Sequence, residues 1–407
     1  MLPIKDLWAR YRGAYAGLPR AAWLLAGVQL VNTSGTMVIF FLTLYLSHNL
    51  GFSTERAGMV VSGYGVGMLA GALAGGTLSD RLGPFRVQRL GLTASALLLG
   101  LLPFLHQYMW ILVGIVLWGF LSSARWPANA AAMADICPET LRSKGFALNR
   151  MANNLGATIG PVVGGYLAQH DYRLLFWVDG GTCLLAAGAM LWCFPGKHVK
   201  KTPSQLESSP GSHTGWSSDK ILLGLLLASV GVGMVFSQLF STFGPYMKLH
   251  QHLSEVWIGR LIAVNTILIV ALQMPLIHRT GRHSGVRVAA LGCLLLGLGF
   301  GLMPAGRGVP FLAATVVIWT FGEMLVMPSL TTLTSLRAPA GSTGHYMGLH
   351  SLSFSLGISL GPTIGVMLMQ KLGGPALWLA VLVTCLMVAC LFWRISMAWD
   401  GKSLPSG

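Results

Sequence analysis

A short charged turn, GTLSDRLGPFR at Gly76–Arg86, separates two long apolar runs at residues 55–78 and 86–105. Each run has roughly the 20 residues that an α-helix needs to cross the hydrocarbon core of a bilayer. Gly76 and Gly83 allow the chain to reverse direction tightly, with Asp80, Arg81 and Arg86 in the turn. This stretch therefore predicts a hairpin of two transmembrane helices.

The composition extends this interpretation to the whole chain. Of the 407 residues, 54% are hydrophobic and only 10% are charged, and the mean hydropathy is +0.65. A soluble domain carries about 25% charged residues, so the composition excludes an ordinary soluble enzyme. The net charge of +15 lies mostly in short loops between apolar runs, which indicates membrane topology rather than nucleic-acid binding.

The chain divides into twelve apolar runs that predict an all-α, multi-pass membrane protein. Of the 27 Lys and Arg residues, nineteen fall on the side of the N-terminus, five on the opposite side and three inside runs. The positive-inside rule then places both termini in the cytoplasm, and we expect the inner membrane of a bacterium with an uncleaved first span. The predicted spans are 22–47, 55–78, 86–105, 108–134, 144–168, 173–194, 220–247, 255–277, 286–304, 309–334, 343–370 and 374–396.

The two halves of the chain repeat each other. At a shift of 201 residues, Trp118, Pro127 and Trp177 align with tryptophan or proline in the second half, at Trp319, Pro328 and Trp378. A polar segment at 195–218 separates a six-helix bundle at 1–194 from another at 219–407. Parallel repeats of this kind are typical of transporters whose substrate site lies between the halves.

The turn at Gly76–Arg86 resembles the cytoplasmic loop motif of the major facilitator superfamily, GxLxDRxGRxx followed by a basic residue, and departs from it at Pro84. The resemblance covers nearly the whole chain. It implies that Asp80 acts as a latch on a neighbouring helix N-terminus, at the start of the eleventh span near 342–345. The second half has Gly281 opposite Asp80, so we expect the latch in one half only.

A second motif occupies the fifth span. Its glycines and proline are similar to the GxxxGPxxGG pattern of the superfamily's antiporters, at Gly156, Gly160, Pro161, Gly164 and Gly165. The resemblance favours export. The alternative is a packing device, because the eleventh span has Gly357, Gly361, Pro362 and Gly365 at matching positions.

Ionisable residues inside the spans are the candidate functional residues, because a charge at mid-membrane costs about 2.5–3.5 kcal/mol on insertion scales. Glu323 is the first candidate for proton coupling and Asp179 the second. Candidate substrate-binding residues are the basic and amide side chains in spans, namely Arg125, Arg150, Arg260, Asn32, Asn154 and Asn265. Three alternatives stay open: Asp179 is a structural partner of Arg125 or Arg150, Arg260 extends outward to water, and the asparagines make ordinary interhelical hydrogen bonds.

Together these features predict a proton-coupled secondary transporter that exports a small organic molecule. Three membrane arginines against two membrane acids favour an anionic substrate, and the chain resembles facilitator-type siderophore exporters of enteric bacteria overall; a drug-like substrate stays open. The alternatives are uptake of a metabolite by the same fold and a membrane sensor or assembly factor. We expect no enzymatic activity, cofactor, metal site or nucleic-acid partner, and a monomer in contact with lipid and protons.

Overall fold

The computed structural model describes residues 17–138, 141–195, 218–280, 283–339 and 343–398, and within these ranges the chain is helical with no strand. The first span, α1, has two segments, Arg20–Ser34 and Val38–His48, and the seventh, α7, has segments Lys220–Ser241 and Phe243–Leu249. The others are α2 Thr54–Leu82, α3 Pro84–Leu101, α4 Tyr108–Ile136, α5 Arg142–His170, α6 Arg173–Cys193, α8 Glu255–Thr280, α9 Gly285–Gly301, α10 Val309–Arg337, α11 Thr343–Leu372 and α12 Gly374–Ala398.

The predicted all-α fold is confirmed. In the described ranges, eleven helices are long and apolar enough to cross a membrane. The remaining long helix, α5, is 29 residues long but carries Arg142, Lys144 and Arg150 in its first nine positions, which lowers its hydropathy. Its glycines place one face of α5 against α1 and α8, whereas apolar side chains on another face, such as Leu155 and Ile159, are exposed.

Proline ends two helices in the same way in both halves. A short 3-10 turn, Leu102–Phe104, follows α3, and a second, Met303–Ala305, follows α9, each with a proline in the middle. Since a proline cannot donate its backbone nitrogen to the preceding turn, it narrows or ends the helix at that point. The matching turns support the internal repeat at a shift of 201.

The two sides of the bundle differ in how the halves meet. We call the side with residues 82–84, the end of α6 at Cys193 and the start of α7 at Lys220 the linker side, and the opposite one, with residues 48–54 and 249–255, the far side. The described hydrogen bonds and glycine contacts between the halves lie toward the far side, where α2 meets α11, α5 meets α8 and α1 meets α7. The structure therefore has the far side closed.

The segment of the chain that joins the two halves is mostly outside the described residues. The predicted linker, 195–218, lies almost wholly outside the described residues, so the domain boundaries stay a prediction. One hydrophobic core runs through both halves. In the second half, for example, Trp319 and Trp378 stack on either side of Phe300, with ring centroids 5.0 and 5.5 Å apart.

Candidate functional site

The turn between α2 and α3 depends on Gly83. This residue ends α2 and precedes α3 with φ of 84°, a left-handed conformation that glycine adopts without strain. Asp80, Arg81 and Arg86 are exposed on the linker side. A Cβ at Gly76 would meet nothing within 4 Å, so the close approach of α2 to α4 is made by Gly75 instead, against the backbone of Ala124.

The predicted partner of Asp80 cannot be placed. Ser342 and the side chains of 343–345 lie outside the described residues, as does Gly281. The latch assigned to Asp80 therefore stays a prediction.

The glycines of the α5 motif face two different helices. A Cβ at Gly156, Gly160 or Gly164 would lie within 2.9 Å of α1, and the nearest atom to the Gly160 position is the carbonyl oxygen of Thr36, at 2.6 Å. Gly165 instead faces the backbone of Glu255 in α8. The motif thus allows α5 to touch α1 in its own half and α8 in the other half.

The matching positions in α11 pack in the same way. Positions Gly357, Gly361 and Gly365 lie against α7, the counterpart of α1. The side chains of Ser62 in α2 and Thr363 in α11 are 2.8 Å apart between the halves. This symmetry supports the packing interpretation of the motif, and the direction of transport stays a proposal.

Glu323 lies near the centre of α10 and is half-buried. Its Oε2 accepts a hydrogen bond from Nδ2 of Asn265 in α8, at 2.8 Å, and the same nitrogen is 3.1 Å from Oγ1 of Thr320. Among the described residues, no Lys, Arg or His lies within 4 Å of the Glu323 carboxylate. Within the described part of the chain, this carboxyl group therefore has no cation to compensate its charge.

Arg150 and Asn154 lie on one stripe of α5. Positions 150, 154, 158, 161 and 165 follow each other at three or four residues and so share a face of the helix. At the far end of this stripe, the Pro161 carbonyl and Gly165 contact α8. Toward the linker side the stripe is not covered, because Arg150 is exposed and Asn154 is only half-buried. This face therefore borders the space between the halves.

Arg125 and Asp179 lie inside the first half. The Cβ position of Gly91 in α3 is 2.8 Å from Cγ of Arg125, and Nη1 of Arg125 donates to Oδ1 of Asn32 in α1, at 2.8 Å. The Sγ of Cys183 is 3.5 Å from the same Asn32 oxygen and 4.0 Å from Oδ1 of Asp179. Arg125 and Asp179 are thus linked by the side chains of Asn32 and Cys183, and they form no ion pair within 4 Å.

Arg260 lies near the far end of α8 and is exposed. Its guanidinium is 4.7 Å from the ring centre of Trp257, and Nη2 donates to the hydroxyl of Tyr166 in α5. These contacts place Arg260 apart from Glu323 and favour the alternative in which it extends outward. Its assignment as a substrate residue stays a prediction.

Two polar clusters escaped the sequence analysis. On the far side, Glu255 accepts hydrogen bonds from Tyr172 and Lys248, both at 2.6 Å, and so joins the halves across a cavity of about 480 Å³. Within the first half, amide groups of Gln29 and Asn153 meet at 2.9 Å. The clustering of amides in α5 was a visible signal; the Glu255 contact was not, because Glu255 at the start of α8 lies 83 residues from Tyr172 in the sequence.

The described residues contain no group of three or more His, Cys, Asp and Glu side chains placed to hold a metal ion. The described cysteines are all free.

Comparison with known proteins identifies the class to which this geometry belongs. The family model of the Major Facilitator Superfamily matches residues 24–362. The chain belongs to the major facilitator superfamily, and it is a secondary transporter of that type. The crystal structure of a peptide transporter, POT, in complex with alafosfalin superposes with a TM-score of 0.77 over 95% of this chain and 97% of that one, at 19% identity, and shows the shared fold.

Three bacterial relatives match over most of their length. The uncharacterized MFS-type transporter YttB of Bacillus subtilis is 29% identical over 91% of this chain and 93% of its own. A Na(+), Li(+), K(+)/H(+) antiporter of Planococcus maritimus is 26% identical over 83% and 87%. The multidrug resistance protein MdtH of Aeromonas hydrophila is 22% identical over 82% and 84%. The relatives and the fold are those of transporters.

Proposed function

We propose that this transporter is a proton-coupled exporter of small organic molecules, anionic, siderophore-like or drug-like, in the cytoplasmic membrane, with both termini inside. The observation that carries the proposal is the half-buried carboxyl group of Glu323, which has an amide partner and no described basic partner. Burying a lone carboxylate is costly, whereas the protonated form is neutral. Gain and loss of one proton therefore changes the cost of exposing this site to either side.

The coupling works through the difference between the two protonation states. A proton can bias an equilibrium between inward-open and outward-open forms only as far as it binds one form better than the other. In the far-side-closed form, Asn265 holds Glu323 by a donated hydrogen bond, which favours the charged acid. Movement of α8 against α10 would remove that donor and favour proton uptake. Asp179 is the second candidate for this role.

The proposed substrate contacts are Arg150 and Asn154, since their stripe on α5 borders the space between the halves toward the linker side. A guanidinium there attracts a carboxylate or hydroxamate group, and the amide can donate or accept a hydrogen bond. Asn32 and Arg125 already bond each other inside the first half, which makes them less available to a ligand.

The functions named for two of these relatives support this proposal. The name of the Planococcus relative describes exchange of alkali cations for protons, and that of MdtH describes multidrug resistance. Uptake of a metabolite by the same fold is the alternative that the packing interpretation of the α5 motif keeps open. A membrane sensor is the third, and it predicts no flux in any assay.

The test is flux in reconstituted vesicles. An iron-free hydroxamate siderophore, a lipophilic cation and an uncharged sugar serve as probes, with and without a proton gradient. For a transported probe, Glu323→Gln should lose gradient-driven accumulation and keep substrate exchange at zero gradient. Glu55→Gln, the same change at the far end of α2, is the control. Full accumulation by Glu323→Gln would exclude it as the coupling site, and vesicles of opposite orientation decide the direction.

A further inference from the structure

Equivalent positions of the two halves carry different side chains near the middle of the membrane. Parallel repeats are related by an axis along the membrane normal, so equivalent positions lie at the same depth on opposite sides of the space between the halves. At a shift of 201, Asn153 in α5 corresponds to Phe354 in α11, and Arg150 corresponds to Ser351. The first half therefore has an amide and a guanidinium where the second has a benzene ring and a hydroxyl group.

The second half carries a row of phenylalanine rings, Phe240, Phe236 and Phe354, which we call the aromatic row. Phe240 in α7 contacts Phe40 of the first half, with ring centroids 5.2 Å apart, so this face of α7 is directed toward the other half. Phe236 is one turn closer to the linker side on the same face, 5.4 Å from Phe240, and Phe354 in α11 follows at 6.3 Å. Phe236 and Phe354 are half-buried and therefore border the space between the halves.

The first half carries amide groups at the matching depth. Nε2 of Gln29 in α1 donates to Oδ1 of Asn153 in α5, and Nδ2 of Asn129 in α4 donates to Oε1 of Gln29, both at 2.9 Å. Gln29, Asn153 and the adjacent Asn154 are half-buried, and Oδ1 of Asn129 is buried with no hydrogen-bond partner among the described residues. Along α5, one turn toward the linker side, these amides are followed by the exposed Arg150.

Neither set of side chains belongs to the packing that the two halves share. The counterparts of Gln29, Asn129 and Asn153 are Val230, Leu330 and Phe354, and those of Phe240 and Phe236 are Ile39 and Gly35. The glycines of α5 and α11, by contrast, are repeated together with their contacts. Since each half packs without the other's polar or aromatic groups, the difference points to what binds between the halves.

We propose that the site between the halves takes a small aromatic acid, whose ring lies against Phe236 and Phe354 and whose carboxylate is bound by Arg150 and Asn154. Aromatic rings attract one another in stacked or edge-to-face arrangements, and guanidinium and amide N–H groups donate to a carboxylate. An apolar wall with a few polar groups that fix the orientation is typical of ligand sites. This orientation also places the ligand's charge in the half opposite to Glu323.

The proposal rests on the proposed function and names the substrate class, but it depends neither on proton coupling nor on the direction of transport. The test is equilibrium binding to the protein in lipid nanodiscs, measured by isothermal titration calorimetry with empty nanodiscs as the blank. Three probes of similar shape are compared. The first, 2-naphthoate, has an aromatic ring and a charge; decahydro-2-naphthoate keeps the charge on a saturated ring; and 2-naphthalenemethanol keeps the aromatic ring without the charge.

The wild type should bind 2-naphthoate about two- to tenfold more tightly than its saturated analogue, the factor that an aromatic contact provides beyond its buried area. Phe354→Leu and Phe236→Leu should each remove this preference, and either variant carries the test if the other does not accumulate. Arg150→Gln should weaken binding of 2-naphthoate about tenfold and leave that of 2-naphthalenemethanol unchanged, because only the acid accepts a charge-assisted hydrogen bond.

Phe104→Leu and Arg56→Gln are the matched controls. Both positions are exposed and lie on the far side, after α3 and at the start of α2, so neither change should alter the affinity for any probe. Equal affinity of the wild type for 2-naphthoate and its saturated analogue, or no binding of 2-naphthoate, would overturn the proposal. A Phe354→Leu variant that weakens both acids equally would do so too, since the ring would then only pack. No proton gradient is involved, so this result and that of the Glu323 experiment can each fail alone.

Discussion

The packing of α5 on α1 gives a prediction whose size follows from the structure. A Cβ at Gly160 would lie 2.6 Å from the carbonyl oxygen of Thr36 and 3.2 Å from its carbonyl carbon. Ordinary C···O contacts begin at about 3.3 Å, so one helix must move by roughly 0.7 Å even for alanine. The obstacle is backbone, which cannot rotate away as a side chain does.

Gly160→Leu should therefore destabilise the protein near the upper end of the range for overpacking, by about 3 kcal/mol. This energy corresponds to a change of roughly a hundredfold in the ratio of folded to unfolded molecules. Transport should fall as well, because the displaced carbonyl belongs to the break in α1. The assays are thermal unfolding of the purified protein, followed by tryptophan fluorescence, and flux in vesicles.

Gly188→Leu in α6 is the matched control. This glycine is exposed and a Cβ there would meet nothing within 4 Å. Glycine is less favourable than alanine in a helix interior by about 0.8–1.0 kcal/mol and leucine ranks just below alanine, so this variant should be neutral or more stable. Equal stability and equal transport in the two leucine variants would refute the reasoning, since it would mean that α5 does not touch α1 at Gly160.

Two further predictions concern the linker side. Asp80→Asn should slow transport about two- to fivefold at normal membrane abundance, because a charge near a helix end is worth about 0.3–1 kcal/mol; wild-type flux would exclude the latch. Asp219 caps α7 and pairs with Arg337. Burial raises the pKa of the Asp219 carboxyl group. The hydrogen bond from Arg337 and those from the backbone N–H groups of Leu222 and Ile221 outweigh this effect, so the pKa is lowered overall. Asp219→Asn should thus be less stable than the wild type at pH 7. Because a lowered pKa gives stability that is lost as pH falls below about 4, the melting temperatures of the two proteins should converge there. A difference in melting temperature that stays constant with pH would contradict this.

The positions of the twelve helices could be predicted because each needs about 20 apolar residues, and that requirement is visible along the chain. The break in α1 could not. Its local signal is the pair Ser34–Gly35, a combination that often accompanies kinks. A side chain at Gly35 would overlap Thr182 of α6, and the sequence does not show that residues 147 positions apart are in contact.

The individual residues of the candidate site could be predicted from the sequence, but their arrangement in space could not. Glu323 and Asn265 were each identified as polar groups in apolar spans, but their hydrogen bond joins two helices, and the two residues are 58 positions apart in the sequence. For Arg125 and Asp179, sequence reasoning favoured an ion pair as one alternative. The structure instead places Asn32 and Cys183 between them.

The residues proposed to be functional lie at positions where the two halves differ. Glycines and prolines of α5 and α11 agree at a shift of 201, and so do their contacts with α1 and α7. By contrast, Arg125, Asp179 and Glu323 have the uncharged counterparts Val326, Ala380 and Ser122. A buried charge that both halves needed for packing would be repeated along with the glycines. Because these charges are not repeated, the matching positions of the other half pack without them, and we propose that their cost in the membrane is offset by a role in transport.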